Sequence, residues 1–348
     1  MAKRRITSKD VAAEAGVSQT TVSFVLNDVT NANISEVTQA RVWDAARKLG
    51  YVPDANARSL AQGRSNNIGL VLIKPHYQVF TDPFVPNLLT GFSEMVRAHG
   101  FRVLVEDIDQ LDRLDTVEHM LRGGEVTGVV IAGHVPSTED FLMSLRHDGY
   151  PVVAIDPYGA PDACYVAIDH AMGIREAAAH LVGLGHQRIA CITYAPRSRP
   201  HIEERLEAFQ EVLATTGLSL DERLLRFGAY DPATGYEAAR SLLKHDLTPT
   251  AIWCMNDFMA LGAMAAIHDR GLRIPEDIAI VGHDDMRFAQ YAYPPLTTVR
   301  APEIELGRQA AQLLLDLITG IPPQNNRQSL PTRLVIRQSC GGQTALRK

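Results

Sequence analysis

The sequence predicts a small all-α helix-turn-helix domain followed by a two-lobed α/β core with parallel sheets. Three observations carry that prediction. The charge is divided unevenly, with +3 over residues 1–64 against −9 over the rest of a chain of net charge −6. Near the N-terminus an Ala-Gly-Val-Ser turn separates two short helical patterns. From Ile68 onward, short apolar runs alternate with amphipathic segments, the pattern of strands and crossover helices in a parallel sheet.

The chain of 348 residues has room for about two to three domains. At 46% hydrophobic and 21% charged, it excludes disorder as a global description. No apolar run of about 18 residues occurs, so no membrane span is expected. The start, Met-Ala-Lys-Arg-Arg, leads into polar residues and not into the apolar core of a signal peptide. Cys164, Cys191, Cys254 and Cys340 lie far apart with no CxxC pair, which points to reduced thiols in a cytoplasm and away from zinc. A basic head on an acidic body suggests that the head alone meets a polyanion.

In the head, Thr7 can cap a first helix and Asp10 suits its first turn. Gly16 stands where a helix ends in a left-handed residue, and Ser18 caps a second helix from Gln19 to Leu26. Ala12 is small where two helices must cross, and Val11, Val17, Val22 and Leu26 form the apolar seam. A third helix starts at Ser35, carries Val42, Ala45, Ala46 and Leu49, and ends at Gly50. An ordinary three-helix bundle would share the caps, but the spacing around the turn is that of a helix-turn-helix. In such a unit the second helix enters a major groove. Gln19, Thr20 and Thr21 lie at its start, where base edges are reached, while Ser23, Asn27, Ser35 and Thr38 offer neutral donors to phosphates. The segment 53–63 then reads either as a flexible linker or as a short helix with one exposed leucine. Such a helix needs a partner to fold, for instance as an apolar wedge in a minor groove.

In the body, strands are expected at Ile68–Ile73, Arg102–Val105, Gly128–Ala132 and Val152–Ile155. A second series gives strands Arg188–Thr193, Ala251–Cys254 and Ile278–Gly282, with helices at Gly173–Leu184, Ile202–Thr215 and Asp257–Arg270. Two such series imply two similar lobes with a ligand cleft at the carboxyl ends of their strands. Polar residues stand at those ends: Asp156, Asn256 with Asp257, and His283-Asp284-Asp285. Arg205 opens a helix of the second lobe, and Phe84 and Tyr230 can stack on the apolar face of a sugar ring. Carboxylates, an amide and a guanidinium suit a polyhydroxylated ligand, because each hydroxyl both donates and accepts. Asp and Asn at strand ends also simply cap helices, so each residue taken singly is ambiguous. No GxSxG elbow, P-loop or HExxH occurs, and the histidines form no ligand-spaced cluster, so neither an enzyme, a cofactor nor a metal is expected. Lys74-Pro75-His76-Tyr77, after the first strand, is not the glycine-rich turn that a nucleotide enzyme needs.

The run from Asp10 to Ser23 resembles the signature of the lactose-repressor (LacI/GalR) family of bacterial transcription regulators. So do Tyr51-Val52-Pro53 with Ala57–Ala61, the stretches 180–190 and 256–264, Val281–Asp285 and Pro295–Val299, in order over essentially the whole chain. The resemblance implies a homodimer on pseudo-palindromic operator DNA, with a periplasmic-binding-protein-like core whose chain crosses between lobes three times. It implies a DNA-binding domain over 1–52, a hinge helix and linker over 53–65 and an effector and dimerisation core over 66–342, with 343–348 a tail. Lobe one would take 66–166 and 299–328, lobe two 167–298 and 329–342, including a last strand from Arg333 to Gln338. Gln19, Thr20 and Phe24 would read bases, with Thr21, Ser23, Asn27, Ser35 and Thr38 on the backbone. Ala57 and Arg58 would lie in the minor groove, with Leu60 as the wedge. Phe84, Asp156, Arg205, Tyr230, Asn256 and Asp284 would hold a small effector, a carbohydrate by expectation. Phe24 departs from the pattern, since many relatives carry there an arginine that pairs with guanine; a phenyl ring cannot make that bidentate contact, and a thymine methyl is an apolar group it can touch instead. The stretch Ala195–Pro200 is longer than in the lactose repressor. No leucine-heptad helix follows the last strand, which favours dimers over tetramers. The implied protein is a repressor in the bacterial cytoplasm, nucleoid-associated when on DNA. The alternative is a cytoplasmic sugar-binding module without a role in gene control.

Overall fold

Three capped helices build the head. The computed structural model describes residues 6–27, 33–52, 65–74, 79, 82–109, 114–133, 138–156, 164–197, 199–244, 247–322 and 325–342. Helix α1 (Ser8–Ala15) opens with a capping box in which Thr7 and Asp10 satisfy each other's backbone N–H groups. Gly16 follows at φ +63°, a left-handed position that L side chains rarely adopt, and the turn is short enough for Ser18 to cap α2 (Gln19–Leu26) through the Thr21 amide at 3.0 Å. Ser35 caps α3 (Glu36–Leu49), which ends on Gly50, again left-handed. Val11, Ala12, Val22, Val25, Leu26, Val42, Ala45 and Ala46 close into one core, with Val17 partly buried beside it. From α3, Arg41 donates to the carbonyls of Ala15 and Gly16, tying the turn to the third helix. The hinge positions Ala57, Arg58 and Leu60, and the tail 343–348, lie outside the described residues.

Two six-stranded sheets follow. The first carries β1 (Asn67–Ile73), β2 (Arg102–Ile108), β3 (Val129–Ala132), β4 (Val152–Ile155), β5 (Tyr165–Asp169) and β11 (Arg327–Pro331), all parallel, in the order β11-β5-β4-β3-β1-β2. The second carries β6 (Ile189–Thr193), β7 (Leu225–Phe227), β8 (Ala251–Cys254), β9 (Ala279–Asp284), β10 (Thr297–Arg300) and β12 (Arg333–Val335), in the order β12-β10-β9-β8-β6-β7. Helices α4 (Phe84–Ala98), α5 (Leu114–Arg122), α6 (Thr138–His147) and α11 (Glu303–Thr319) serve the first sheet. Helices α7 (His170–Gly183), α8 (Pro200–Thr215), α9 (Pro232–Leu242) and α10 (Asp257–Asp269) serve the second. β3, β4 and β8 are buried at every residue, as strands covered on both faces must be.

Several expectations need correction. β12 pairs antiparallel with β10, so the second sheet is mixed, and β12 ends at Val335 instead of Gln338. The expected lobe boundaries at 166, 299 and 328 each fall inside or at the edge of a continuous strand. The chain leaves the first sheet after Asp169, returns after Arg300 and leaves again after Pro331. Alternation in sequence places a strand but does not mark its last paired residue, since pairing is made with a partner far along the chain. The expected strand Ile278–Gly282 runs on to Asp284, and β5, β7, β10, β11, α9 and α11 were not anticipated. Among the described residues, no helix is long and apolar enough to cross a membrane.

Candidate functional site

Two surfaces hold the residues singled out above. On α2, the buried side is Val22, Val25 and Leu26, which turns Gln19, Thr20, Ser23, Phe24 and Asn27 outward. Gln19, Thr20 and Phe24 are exposed, Phe24 at 40%, an unusual place for a phenyl ring on a helix this short. Gln19 Nε2 donates to Ser8 Oγ at 2.8 Å, which holds its side chain across from α1. Thr21 and Thr38 share hydrogen bonds with their cap serines, Ser18 and Ser35, at 2.9 and 3.0 Å. Asn27 Nδ2 donates to Ser23 Oγ at 3.3 Å. Apart from Phe24 the face is neutral and polar, and Gln19, Thr21, Asn27 and Thr38 are each held by a side-chain hydrogen bond.

The second surface is a cavity of about 470 Å³ between the two sheets' carboxyl ends. Phe84, Asp156, Arg205, Tyr230, Asn256 and Asp284 all line it. They arrive from both lobes: Asp156 from the end of β4, Phe84 from the start of α4, Asp284 from the end of β9, Asn256 from the end of β8 and Arg205 from α8. Asp156, Tyr230, Asp284 and Asp285 take positive φ, at +47°, +63°, +102° and +57°. Left-handed backbone at a non-glycine residue costs about 1–3 kcal/mol, and three of these four residues, Asp156, Tyr230 and Asp284, line the cavity, with Asp285 next to Asp284 in sequence.

Each polar group is held. Asp156 Oδ1 accepts from the Ile168 amide at 2.9 Å, and burial still pushes its carboxyl up to about 6 against the charges of Arg205 and Lys74. Burial pushes Asp284 up to about 7, with Arg205 opposing and Asp82 adding. Asn256 Oδ1 caps α10 through the Met259 amide at 2.7 Å. Its Nδ2 is buried with no partner among the described residues, so one side chain serves both as cap and as spare donor. The Arg205 guanidinium lies 5.2 Å from the Tyr194 ring, which stacks on Tyr230 at 4.2 Å. Asp257 and Asp285 do not join the cavity lining. Asp257 is buried beneath it, accepting from Thr298 Oγ1 at 2.6 Å and the Met286 amide at 2.7 Å; a Cβ at Gly282 would come within 2.2 Å of its Oδ1. Asp285 pairs with Arg300 and Arg337, each at 2.6 Å.

Sequence reasoning missed part of the lining. Lys74, just past β1, pairs with Asp82 and holds its ammonium 4.9 Å from Phe84 and 5.7 Å from Tyr230, so it touches both lobes. Glu303, the first residue of α11, accepts from Asn87 Nδ2 at 2.7 Å, and burial followed by the nearness of Asp284 raises its pKa well above the usual range. His170, Tyr194, Arg199 and His201 complete the wall. The only sequence signal for these was position next to a strand end or a crossover. In the 195–200 stretch, Arg197 pairs with Glu203 at 2.6 Å and Glu222 at 2.5 Å, beside Arg199 at the cavity. Among the described residues, no group of three or more His, Cys, Asp or Glu is arranged to hold a metal ion.

Comparison with known proteins gives two family matches. Residues 7–54 match the bacterial regulatory proteins of the lacI family, and residues 178–340 match the periplasmic binding protein-like domain. The chain is 34% identical to the HTH-type transcriptional regulator CelR of Thermobifida fusca, over 97% of this chain and 99% of that protein. It is 33% identical to the ribose operon repressor of Escherichia coli K12, over 96% and 99%. Among solved structures, the lac repressor dimer bound to operator and the anti-inducer ONPF superposes with a TM-score of 0.85 at 29% identity, covering 97% of this chain and 99% of that one. The CelR–cellobiose complex gives 0.71 at 33% identity, over 96% and 100%.

Proposed function

The chain belongs to the lacI family of bacterial regulatory proteins, a DNA-binding transcription regulator under small-molecule control, and from that premise we propose how its two surfaces divide the work. The exposed face of α2 reads operator DNA as one half of a homodimer, with Gln19, Thr20 and Phe24 toward bases and Thr21, Ser23, Asn27, Ser35 and Thr38 toward phosphates. Ala57, Arg58 and Leu60 meet the minor groove between the half-sites. The interlobe cavity takes a neutral carbohydrate, and its occupancy sets the angle between the lobes. Such control requires the sugar to bind the two lobe arrangements with different affinity. The protein represses genes for carbohydrate use and acts in the cytoplasm.

One observation carries the sugar reading: the cavity joins stacked aromatic rings to hydrogen-bonding groups of both lobes, and its carboxyls outnumber its cations. Asp82, Asp109, Asp156, Asp284 and Glu303 face Lys74, Arg199 and Arg205. Burial holds Asp284 and Glu303 toward their protonated forms, so the lining is close to neutral, offers no surplus of cations to a phosphate, and suits hydroxyls, which donate to carboxylates and accept from Arg205 and Asn256. The CelR–cellobiose complex is a family precedent for a neutral sugar. The test is footprinting on the DNA upstream of the chain's own gene, with and without neutral saccharides, at about 50 mM and about 150 mM salt. Protection of a palindrome that a saccharide alters is the expected result; no protected palindrome at either salt refutes the operator reading.

A further inference from the structure

A pair of buried imidazoles beside the cavity has no part in the account so far. His170 is the first residue of α7, immediately past the first crossing between lobes, and His283 precedes Asp284 on β9. His170 Nδ1 and His283 Nε2 lie 3.1 Å apart, with ring centroids at 5.2 Å. His283 is fully buried, and its other nitrogen, Nδ1, has no hydrogen-bond partner among the described residues. His170 lines the cavity.

One N–H···N bond between neutral rings has two arrangements. If His170 Nδ1 donated, His283 would accept on Nε2 and keep its own proton on Nδ1, a buried N–H with no acceptor. Orphaned buried N–H groups are rarer than orphaned lone pairs, and each forfeits a hydrogen bond it would make in water. The other arrangement puts the His283 proton on Nε2, donated to His170 Nδ1. His170 then carries its proton on Nε2, the one ring nitrogen left to it for the cavity. Protonation does not disturb this near pH 7. Burial first, then Arg205 on α8, hold both rings well below the usual histidine range; His201, also on α8, adds to the effect on His170.

We propose that His283 is a positioning residue that locks His170 in its Nε2–H form, making His170 a further effector-binding residue with a fixed donor. The matching ligand group is an oxygen that accepts, such as the ring or glycosidic oxygen of a sugar. This rests on the carbohydrate reading of the cavity, but the tautomer is measurable with no ligand present.

The experiment is long-range 1H–15N spectroscopy on the full chain labelled at histidine, with H170Q and H283F to assign the signals and thermal melting to establish that each variant is folded. His170 is expected to show a protonated Nε2 and a bare Nδ1, unchanged between about pH 6.5 and 8. In H283F its signals should move to averaged tautomer values. A native His170 protonated on Nδ1, or one unmoved by H283F, overturns the relay. Calorimetry with D-glucose, D-ribose, cellobiose and lactose supplies the second arm. For whichever binds, H170A should weaken affinity about tenfold. H170Q, whose amide nitrogen reaches the place of Nε2, should stay within about twofold. Equal losses in both variants overturn the donor role. Failure of all four sugars to bind the native chain overturns the carbohydrate reading, and the spectra still decide the tautomer.

Discussion

The head and the cleft use the same kinds of polar side chain over very different distances along the chain. In the head, each cap partner is three residues away: Thr7 with Asp10, Ser18 with Thr21, Ser35 with Thr38. In the cleft, Asn87 meets Glu303 across 216 positions, His170 meets His283 across 113, and Thr298 meets Asp257 across 41. The head is thus a sum of local choices, each worth about 1 kcal/mol, and the cleft exists only when two sheets are assembled. Damage to the head should be graded, and damage to the frame of the cleft abrupt.

The largest test of that contrast is Gly91→Val. A Cβ at Gly91 would lie 1.8 Å from the Ile304 carbonyl oxygen, a backbone atom of α11 that has nowhere to move. We expect a loss of about 3 kcal/mol or more, read as a lower urea midpoint. Arg205→Ala comes next: losing a charged donor in the cavity should weaken sugar binding about tenfold to a hundredfold in calorimetry, with DNA affinity of the sugar-free protein unchanged. Ser18→Ala should cost the head about 1 kcal/mol, seen as weaker operator binding at raised temperature with sugar affinity unaltered. If it lowered sugar affinity as well, the division between the surfaces would fail.

The smallest effect is a slope with pH. Asp284 ionises at about 7 in the folded chain and near 3.8 when unfolded, so between these values the folded state holds the extra proton and stability falls as pH rises. His170 and His283, depressed by burial, work the other way, but only below about pH 6.5. Between about pH 6.5 and 7.5 the carboxyls raised by burial, Asp284 together with Asp257 and Glu303, outweigh the histidines, and D284N should lessen the decline in chemical denaturation across that window without abolishing it. An unchanged slope would show that Asp284 ionises normally.

The head was legible almost to the residue, because capping and helical period act within one turn. Gly16, Ser18, Ser35 and Gly50 stand where the sequence placed them. In the cleft, Asp156, Asn256 and Asp284 were legible as polar residues at strand ends, while Phe84, Arg205 and Tyr230 came from the family resemblance; all six line one cavity. Lys74 and Glu303 were not, since neither position carries a local signal. Their burial depends on Asp82 and Asn87, which the fold brings to them.

By itself the sequence determined the helix caps, the apolar runs that become strands, and the family of the chain, since each is written in residues close together or in motifs in order. Only the tertiary structure decided where the chain crosses between lobes, the antiparallel pairing of β12, and the imidazole pair beside the cavity. These depend on which distant backbone or side chain arrives opposite, and hydrogen bonding between elements is set by packing, which no local pattern encodes.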